Sequence, residues 1–424
     1  MKDPREDLQN EVVGIIKNTP LLHSCVISAT GSGKSFIAMK LLQEMGYKRP
    51  LILVNSQSLR DRNWANEFKK FDLENYYTQN VTMNTYQTAY KWDDSNHDSS
   101  RYDIVIMDEV DFMADTGAYS CVMSFFSDNK VVGLTGFVAP AKLKWFADNM
   151  PIIYEIGSAQ MQKAGQLNKV EYRFVQYELS TAKLKKVSYL KRGKKKTFYT
   201  SDNAAYIRAD EKYQSVLEEK KSLRNDNALG KYVPHDYHEL LKGVNERLQW
   251  AMTARNKVVY TNARGAELAR EVVQAVKDNA PGEKIVVFSA YTTQSEAISP
   301  NVFNGSKKKA ENAEVFRKFV GSEITELAVC GKINRGESIP FLKYGLLESY
   351  NGSETVANQR AGRLLRLPPD QKAIMYVFLP YFREKQPDGT YSLKETFMVN
   401  SGREMLKSID TSLNSTVNKT FNNE

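Results

Sequence analysis

Cysteine is scarce in this chain, and long hydrophobic runs are missing from it. The 424 residues include three cysteines, Cys25, Cys121 and Cys330, which lie far apart and form no CxxC pair. This spacing argues against disulfide or metal roles and favours small core residues. No apolar run approaches the length of a membrane span, and the charged start MKDPREDLQN lacks a signal-peptide core. We therefore expect a cytosolic protein with no membrane partner.

Internal repeats and low-complexity tracts are also missing. A length of 424 residues fits two domains of ordinary size and leaves room for an insertion. Hydrophobic residues make up 42% of the chain, which is enough to build sizeable cores. The formal net charge is +9 and the isoelectric point is about 9.1. This moderate basic excess suits a polyanionic partner such as a nucleic acid.

The octet SATGSGKS has the pattern of a phosphate-binding loop. A glycine-rich turn that ends in Gly-Lys-Ser lets backbone N–H groups surround phosphates, while Lys34 reaches the terminal phosphates and the Ser35 hydroxyl holds Mg²⁺. The apolar LLHSCVI before the loop is typical of a strand. FIAMKLLQEM after it is typical of a helix, whose N-terminal dipole favours phosphate. The pattern predicts a nucleoside triphosphate site formed by Ser28, Ala29, Thr30, Gly31, Ser32, Gly33, Lys34 and Ser35.

A second motif, DEVD (Asp108–Asp111), follows the apolar segment IVIM. In an open α/β sheet, ligands bind at the carboxyl ends of the strands, where this motif is expected to lie. An aspartate there can hold Mg²⁺, and the adjacent glutamate can take a proton from an attacking water. We therefore predict that Asp108 is a metal ligand and that Glu109 is the general base.

A third motif, QRAGRLLR (Gln359–Arg366), lies in the second half of the chain. On a helix, Gln359, Gly362, Arg363 and Arg366 fall on one face through i+3 and i+4 spacing. Arginine suits phosphate because its planar fork grips two oxygens at once. We predict that Gln359, Arg363 and Arg366 act across a cleft, with the two arginines on the γ-phosphate.

Apolar segments alternate with helical patterns in both halves of the chain. Near-continuous apolar strands separated by helices argue for parallel sheets covered on both faces. The pattern predicts an α/β fold with two halves, residues 1–157 and 158–424. The predicted strands are 51–57, 102–111 and 130–136 in the first half, with a strand-to-loop segment at 81–89, and 283–291, 326–332, 341–349 and 373–380 in the second; the predicted helices are 59–71 and 310–320.

Between the halves, residues 183–196 carry eight basic residues and no acidic one. The Arg192-Gly193 centre predicts a β-hairpin, and two helical patterns follow it, so that the whole insertion runs over about 180–250. The hairpin is either a solvated surface or a DNA-gripping element. In the second case its lysines neutralise phosphates and its aromatic rings stack on bases. The residues concerned are Tyr189, Lys191, Arg192, Lys194, Lys195, Lys196 and Phe198, with Tyr199 as a further stacking residue.

Taken in order, SATGSGKS, DEVD and QRAGRLLR resemble motifs I, II and VI of the superfamily 2 helicases, and the likeness runs over most of the chain. The resemblance implies two RecA-like parallel-sheet motor domains in tandem, with the basic region inserted between their motifs. In that family the two domains close on ATP and Mg²⁺ at a shared cleft, and nucleic acid lies across both.

Other segments resemble the remaining motifs of that family. Leu51–Leu59 resembles motif Ia, Thr85–Gln87 motif Ib, Gly133–Gly136 motif III, Ile285–Tyr291 motif IV and Asn334–Pro340 motif V. The resemblance implies nucleic-acid contacts at Ser56, Gln57, Arg60, Thr85, Tyr86, Gln87 and Tyr291, and nucleotide contacts at Arg5, Gln9 and Gly336.

The chain also departs from the family pattern. Arg5 and Gln9 are one residue further apart than in the usual Arg-x-x-Gln segment that reads adenine. Motif III carries Thr135-Gly136 in place of the usual Ser/Thr-Ala-Thr/Ser, and Ser338 stands where many relatives carry Asp. The departures bear on adenine selection and on the coupling that motif III provides. The helix that contains Trp64 resembles the segment after motif Ia in DNA-directed members.

A compact chain of this layout most resembles phage branch-migration helicases, such as those of T5-like phages. The resemblance implies an ATP-dependent DNA helicase or translocase that acts as a monomer in the host cytosol. Its partner is a single-stranded DNA track with forked or branched junctions. The alternatives are a double-strand translocase without unwinding, a DEAD-like RNA helicase, and a nucleic-acid-binding module that has no catalysis.

Overall fold

The computed structural model describes residues 5–29, 31–57, 59–115, 120–183, 185–191, 194–330, 339, 342–350, 364 and 367–409. Within these ranges, the side chains at 62, 115, 159, 187–191, 194–196 and 404–409 are not described. No helix in the described part of the chain combines the length and apolarity needed to cross a membrane.

Strands and helices alternate through the first part of the chain. The strands are β1 (His23–Ser28), β2 (Pro50–Val54), β3 (Thr82–Thr85), β4 (Ile104–Asp108), β5 (Val131–Thr135) and β6 (Ile152–Ile156). The helices are α1 (Glu6–Asn18), α2 (Lys34–Met45), α3 (Trp64–Lys70), α4 (Glu74–Asn80), α5 (Tyr86–Ala89), α6 (Ser120–Phe125), α7 (Leu143–Asn149) and α8 (Ser158–Lys163).

Strands and helices also alternate in the rest of the chain, which includes the insertion. The strands are β7 (Lys169–Glu178), β8 (Lys185–Lys191), β9 (Lys194–Thr200), β10 (Lys284–Ser289), β11 (Val302–Phe303), β12 (Glu326–Cys330), β13 (Leu342–Leu347), β14 (Lys372–Lys385) and β15 (Tyr391–Glu395). The helices are α9 (Asp202–Ala228), α10 (Pro234–Tyr260), α11 (Ala263–Asn279), α12 (Thr292–Ile298), α13 (Lys309–Val320) and α14 (Phe397–Ile409).

The first sheet contains six parallel strands in the order β3-β2-β4-β5-β1-β6. Because successive strand residues point to opposite faces, its apolar strands supply two separate cores. One core packs the sheet against α1, α2 and α3, and the other packs it against α5, α6 and α7. The sheet is therefore covered on both faces, and its carboxyl edge carries the loops after β1, β2 and β4.

The second sheet has the order β11-β12-β10-β13-β14-β15, and β7 pairs with β14. All of its pairings are parallel except that of β14 with β15. Two parallel-sheet α/β units in tandem confirm the predicted fold class. The sequence pattern missed β7, since its alternating polar and aromatic residues give it only one buried position.

The insertion consists of a hairpin and a helical pair. Strands β8 and β9 pair antiparallel, from Lys185 opposite Thr200 to Lys191 opposite Lys194, which confirms the predicted hairpin. Helices α9 and α10 have 27 residues each and share a small core of their own, so the two predicted helical patterns are also present.

One predicted helix differs in its first turn. The segment expected to be a single helix over 59–71 begins with a π-helical turn at Leu59–Asn63 and becomes an α-helix only at Trp64. Propensity and hydrophobic spacing do not distinguish an α-turn from a π-turn over five residues, because so short a segment contains too little of either period.

Candidate ATP site and nucleic-acid surface

The phosphate-binding loop joins β1 to α2 and turns at two glycines. Gly31 and Gly33 have backbone φ angles of 92° and 89°, a left-handed conformation that side chains disfavour. A Cβ atom on Gly33 would lie 2.4 Å from Nε2 of Gln9. The backbone conformation therefore favours glycine at Gly33, and the end of the Gln9 side chain would have to move to admit a larger residue. Thr30, in the same loop, lies outside the described residues.

Polar groups inside the loop are arranged for an anion. Lys34 Nζ donates to the carbonyl oxygen of Ser28 at 3.2 Å. The hydroxyls of Ser28 and Ser32 are buried, and neither has a hydrogen-bond partner within the part of the chain that is described. Ala29 is buried next to them. A lysine folded over its own loop, buried hydroxyls and the N-terminus of α2 together fit a triphosphate.

Arg5 and Gln9 contact the backbone of this loop from α1. Arg5 Nη1 donates to Gly31 O at 3.0 Å, and the buried Gln9 donates from Nε2 to Ser32 O at 2.9 Å. Residues four apart lie on one face of a helix, so this spacing lets both side chains reach the loop. Their predicted contact with adenine stays a prediction.

Asp108 ends β4 at the carboxyl edge of the sheet and is held from two sides. Trp64 Nε1 donates to its carboxylate Oδ2 at 3.1 Å, and the Tyr86 hydroxyl donates to its main-chain oxygen at 2.9 Å. Loss of hydration and the neighbouring Glu109 raise the pKa of Asp108 to about 7, against the opposing effects of Lys34 and the Trp64 bond. A divalent cation would favour the ionised carboxylate here.

Glu109 has a backbone φ of 52°, which is unusual for a residue with a side chain. Such a conformation costs about 1–3 kcal/mol and persists where the surrounding structure imposes it. The strained residue is the one that the sequence predicts as general base.

Asp111, the last residue of the motif, lies fully inside the protein. Its Oδ1 accepts from Thr135 Oγ1 at 2.9 Å, and its Oδ2 lies 3.5 Å from Lys142 Nζ. Motif II is therefore joined to the motif III segment although that segment reads Thr-Gly. Sequence reasoning missed Lys142, because nothing in the local pattern APAKLK marks it as the partner of an acid 31 residues earlier.

Residues predicted to contact nucleic acid lie after β2 and β3. Gln57 and Gln87 are exposed, while Arg60 is half-buried and pairs with Asp61 at 2.6 Å. Ser56 accepts backbone N–H groups from the π-helical turn, Leu59 N at its hydroxyl and Arg60 N at its carbonyl.

Thr85 and Tyr86 are buried and form hydrogen bonds within the protein. The Thr85 hydroxyl caps α5 by accepting from Thr88 N at 3.2 Å. Tyr86 is completely buried, and its hydroxyl bonds to motif II as described above. In this structure Tyr86 contacts the ATP-site strand and has no surface to offer a nucleic acid.

In the insertion, the charged and aromatic residues of the hairpin are only partly described. Lys185 pairs with Asp202 at 2.9 Å, and the Arg208 guanidinium lies 5.2 Å from the Phe198 ring centre. Tyr199 is 61% exposed, which leaves its ring open to stacking. Arg192 lies outside the described residues, as do the side chains of Tyr189, Lys191, Lys194, Lys195 and Lys196.

In the second unit, Tyr291 follows β10 and is half-buried, with its ring 6.2 Å from that of Tyr260. Gly336, Gln359, Arg363 and Arg366 lie outside the described residues.

One described residue of QRAGRLLR is tied to the segment between the two sheets. Leu364 is buried in the core of the second unit. Its carbonyl accepts from Asn168 Nδ2 at 2.9 Å, and Leu367 N donates to Asn168 Oδ1 at 3.2 Å. Asn168 is itself completely buried. It therefore holds the backbone at Leu364 and Leu367, within and just after the predicted γ-phosphate motif, and no local sequence pattern predicts this role.

Comparison with known proteins gives one family match over part of the chain and several likenesses in fold. Residues 5–139 match the family described as type III restriction enzyme, res subunit (ResIII). No curated protein matches the chain. The solved structures that resemble it include S. cerevisiae Dbp5 bound to RNA and ADP BeF3, at 9% identity and a TM-score of 0.55 over 95% of this chain and 86% of that one.

A variant of the same Dbp5 complex gives a TM-score of 0.55 at 9% identity, over 97% of this chain and 93% of that one. The Hef helicase domain of Pyrococcus furiosus is 15% identical, with a TM-score of 0.47 over 89% of this chain and 96% of that one. The structural similarity to Dbp5 shows that this chain has the fold of two RecA-like domains in tandem. The ResIII match is confined to residues 5–139, whereas the likeness in fold to Dbp5 extends over 97% of the chain.

Proposed function

We propose that the protein is an ATP-dependent DNA helicase or translocase that remodels forked or branched DNA. The observation that carries this proposal is the junction of the phosphate-binding loop with motif II at the carboxyl edge of the first sheet. There, the loop that follows β1 and the aspartate that ends β4 lie at the same edge of the sheet, on either side of β5. Residues 1–157 and 158–424 would form the two motor domains.

The ATP site divides its tasks among residues of this chain. The loop backbone and Lys34 bind the phosphates, and Glu109 takes the proton of the attacking water. The Ser35 hydroxyl and the Asp108 carboxylate are hard oxygen donors that would hold Mg²⁺. Bound there, Mg²⁺ would neutralise charge on the phosphates. Gln359, Arg363 and Arg366 of the second domain would complete the site across the cleft.

The DNA track would follow the loops after β2 and β3 and the insertion. Exposed Gln57 and Gln87 are available on the first domain, and the hairpin adds a run of lysines with the exposed ring of Tyr199. Phosphate contacts of this kind bind without regard to sequence and weaken as salt rises. Forked and branched substrates are proposed because the layout resembles branch-migration helicases.

RNA is the competing substrate, since the Dbp5 complexes contain RNA. The basic insertion and the Trp64 helix favour DNA, because both resemble DNA-directed relatives. To distinguish DNA from RNA as the substrate, ATP turnover is measured under five conditions: without nucleic acid, and with single-stranded DNA, forked DNA, four-way DNA or RNA.

We expect turnover to rise most with forked or four-way DNA and to vanish in Lys34→Ala on every substrate. Stimulation by RNA alone would replace the DNA proposal with an RNA one. Turnover that no nucleic acid changes would contradict the motor function.

A further inference from the structure

We propose that Trp64 is a positioning residue for Asp108, and that it links the nucleic-acid segment after β2 to the ATP site. This inference rests on the proposed function, because it explains how nucleic acid would stimulate ATP turnover. It concerns a residue outside the three motifs that first marked the chain.

The contact itself is specific and buried. Trp64 is 2% exposed, and its indole N–H, which can only donate, lies 3.1 Å from Asp108 Oδ2. The ring is fixed by packing in the core that also contains Phe68, whose ring centre is 6.1 Å away. A buried indole N–H needs an acceptor, and the acceptor here is the Asp108 carboxylate and not a main-chain oxygen. The N–H therefore fixes the orientation of one carboxylate oxygen at the predicted metal ligand.

The segment before Trp64 leads directly to predicted nucleic-acid contacts. Trp64 begins α3 at the end of the π-helical turn Leu59–Asn63. That turn is attached to Ser56, which accepts Leu59 N at 3.4 Å and Arg60 N at 3.2 Å. π-Helical turns inside helices occur frequently at functional sites, and this one can tighten to an α-turn. Such a change would rotate Trp64 relative to Asp108.

A second contact reaches the same aspartate from the segment after β3. Tyr86 donates its hydroxyl to the main-chain oxygen of Asp108, and it follows Thr85 directly in the predicted motif Ib. Both predicted nucleic-acid segments of the first unit thus contact Asp108. The segment after β2 reaches its side chain through Trp64, and the segment after β3 reaches its main-chain oxygen through Tyr86. A nucleic acid that shifts either segment would change how Asp108 is held.

The test compares Trp64→Phe with Trp92→Phe. Phenylalanine keeps an aromatic ring but removes the donor. Trp92 is half-buried against the core on the other face of the sheet, with its ring centre 3.9 Å from that of His97, so its replacement removes an indole away from Asp108. ATP turnover is measured against Mg²⁺ concentration, with and without the most active nucleic acid. Binding of a fluorescently labelled ADP is also titrated against Mg²⁺ concentration for each protein.

For Trp64→Phe we expect the Mg²⁺ concentration for half-maximal turnover to rise about tenfold, the loss expected for one hydrogen bond to a charged group. Nucleic-acid stimulation should also fall, and binding of the labelled ADP should require more Mg²⁺. Trp92→Phe should keep the wild-type value in all three measurements. A merely structural role would lower thermal stability in both variants without changing the Mg²⁺ requirement.

Tyr86→Phe provides a second variant in case Trp64→Phe does not fold, since it removes one hydroxyl and keeps the ring. It should lower nucleic-acid stimulation and preserve nucleotide binding. Wild-type stimulation and Mg²⁺ dependence in Trp64→Phe, or in Tyr86→Phe if the first variant is not folded, would overturn the inference. A wild-type protein that no nucleic acid stimulates would instead contradict the proposed function.

Discussion

Replacing Asn168 with alanine should weaken both the second unit and ATP turnover. The side chain is completely buried and bonds to Leu364 O and Leu367 N, at 2.9 and 3.2 Å. Alanine would leave two buried backbone groups without partners, at about 1–3 kcal/mol each, or about 2–6 kcal/mol together. At roughly 2–4 °C per kcal/mol, the transition that involves this unit should fall by about 4–24 °C.

Asn129→Ala is the matched control for this experiment. Asn129 is also buried, and its Nδ2 donates to Ser99 O at 3.0 Å and Tyr102 O at 3.1 Å, far from QRAGRLLR. Both variants should lose comparable stability in thermal unfolding. Well below either transition, only Asn168→Ala should show a reduced rate of ATP turnover. A drop in stability with normal turnover would refute the reasoning that Asn168 positions the γ-phosphate motif, and so would an unchanged unfolding curve.

Three further predictions concern the ATP site and the insertion. Glu109→Gln should bind ATP with wild-type affinity but turn it over at least about a hundredfold more slowly, since it lacks the base; turnover near the wild-type rate would remove Glu109 from that role. Arg363→Lys should fail like Arg363→Ala, because a point charge does not reproduce the planar fork of arginine, and full activity in the lysine variant would contradict a bidentate phosphate contact. A variant with five alanines in the hairpin should bind DNA more weakly and with a flatter salt dependence, while its ATP turnover without DNA stays unchanged. The replaced residues are Lys191, Arg192, Lys194, Lys195 and Lys196. A normal salt slope in binding titrations would show that the hairpin is only a solvated surface.

The sequence predicts those parts of the molecule that depend on local pattern. The strand before Ser28, the glycine turn and the helix from Lys34 follow from residue types at fixed spacing, and so does the strand that ends at Asp108. The lysine-rich hairpin follows from its turn centre and its flanking strands. In each case the residues that matter are neighbours along the chain.

Contacts between distant residues were not predictable in this way. Trp64 and Asp108 are 44 residues apart, Asp111 and Thr135 are 24 apart, and Asn168 and Leu364 are 196 apart. Each depends on the order of the strands in a sheet and on the packing around it, and local residue patterns do not determine either. Strand β7 was missed for the same reason, since it is stabilised by β14, about 200 residues later in the chain.

Strand separation on forked DNA tests the central claim most directly. Wild-type protein is mixed with a labelled fork and Mg²⁺, and release of one strand is followed after addition of ATP, in parallel with Glu109→Gln. Hydrolysis-driven movement predicts release by the wild-type protein only with ATP, and none by Glu109→Gln although it binds the fork. Equal release by both proteins, or release without ATP, would contradict the claim that hydrolysis at this site moves the protein along DNA.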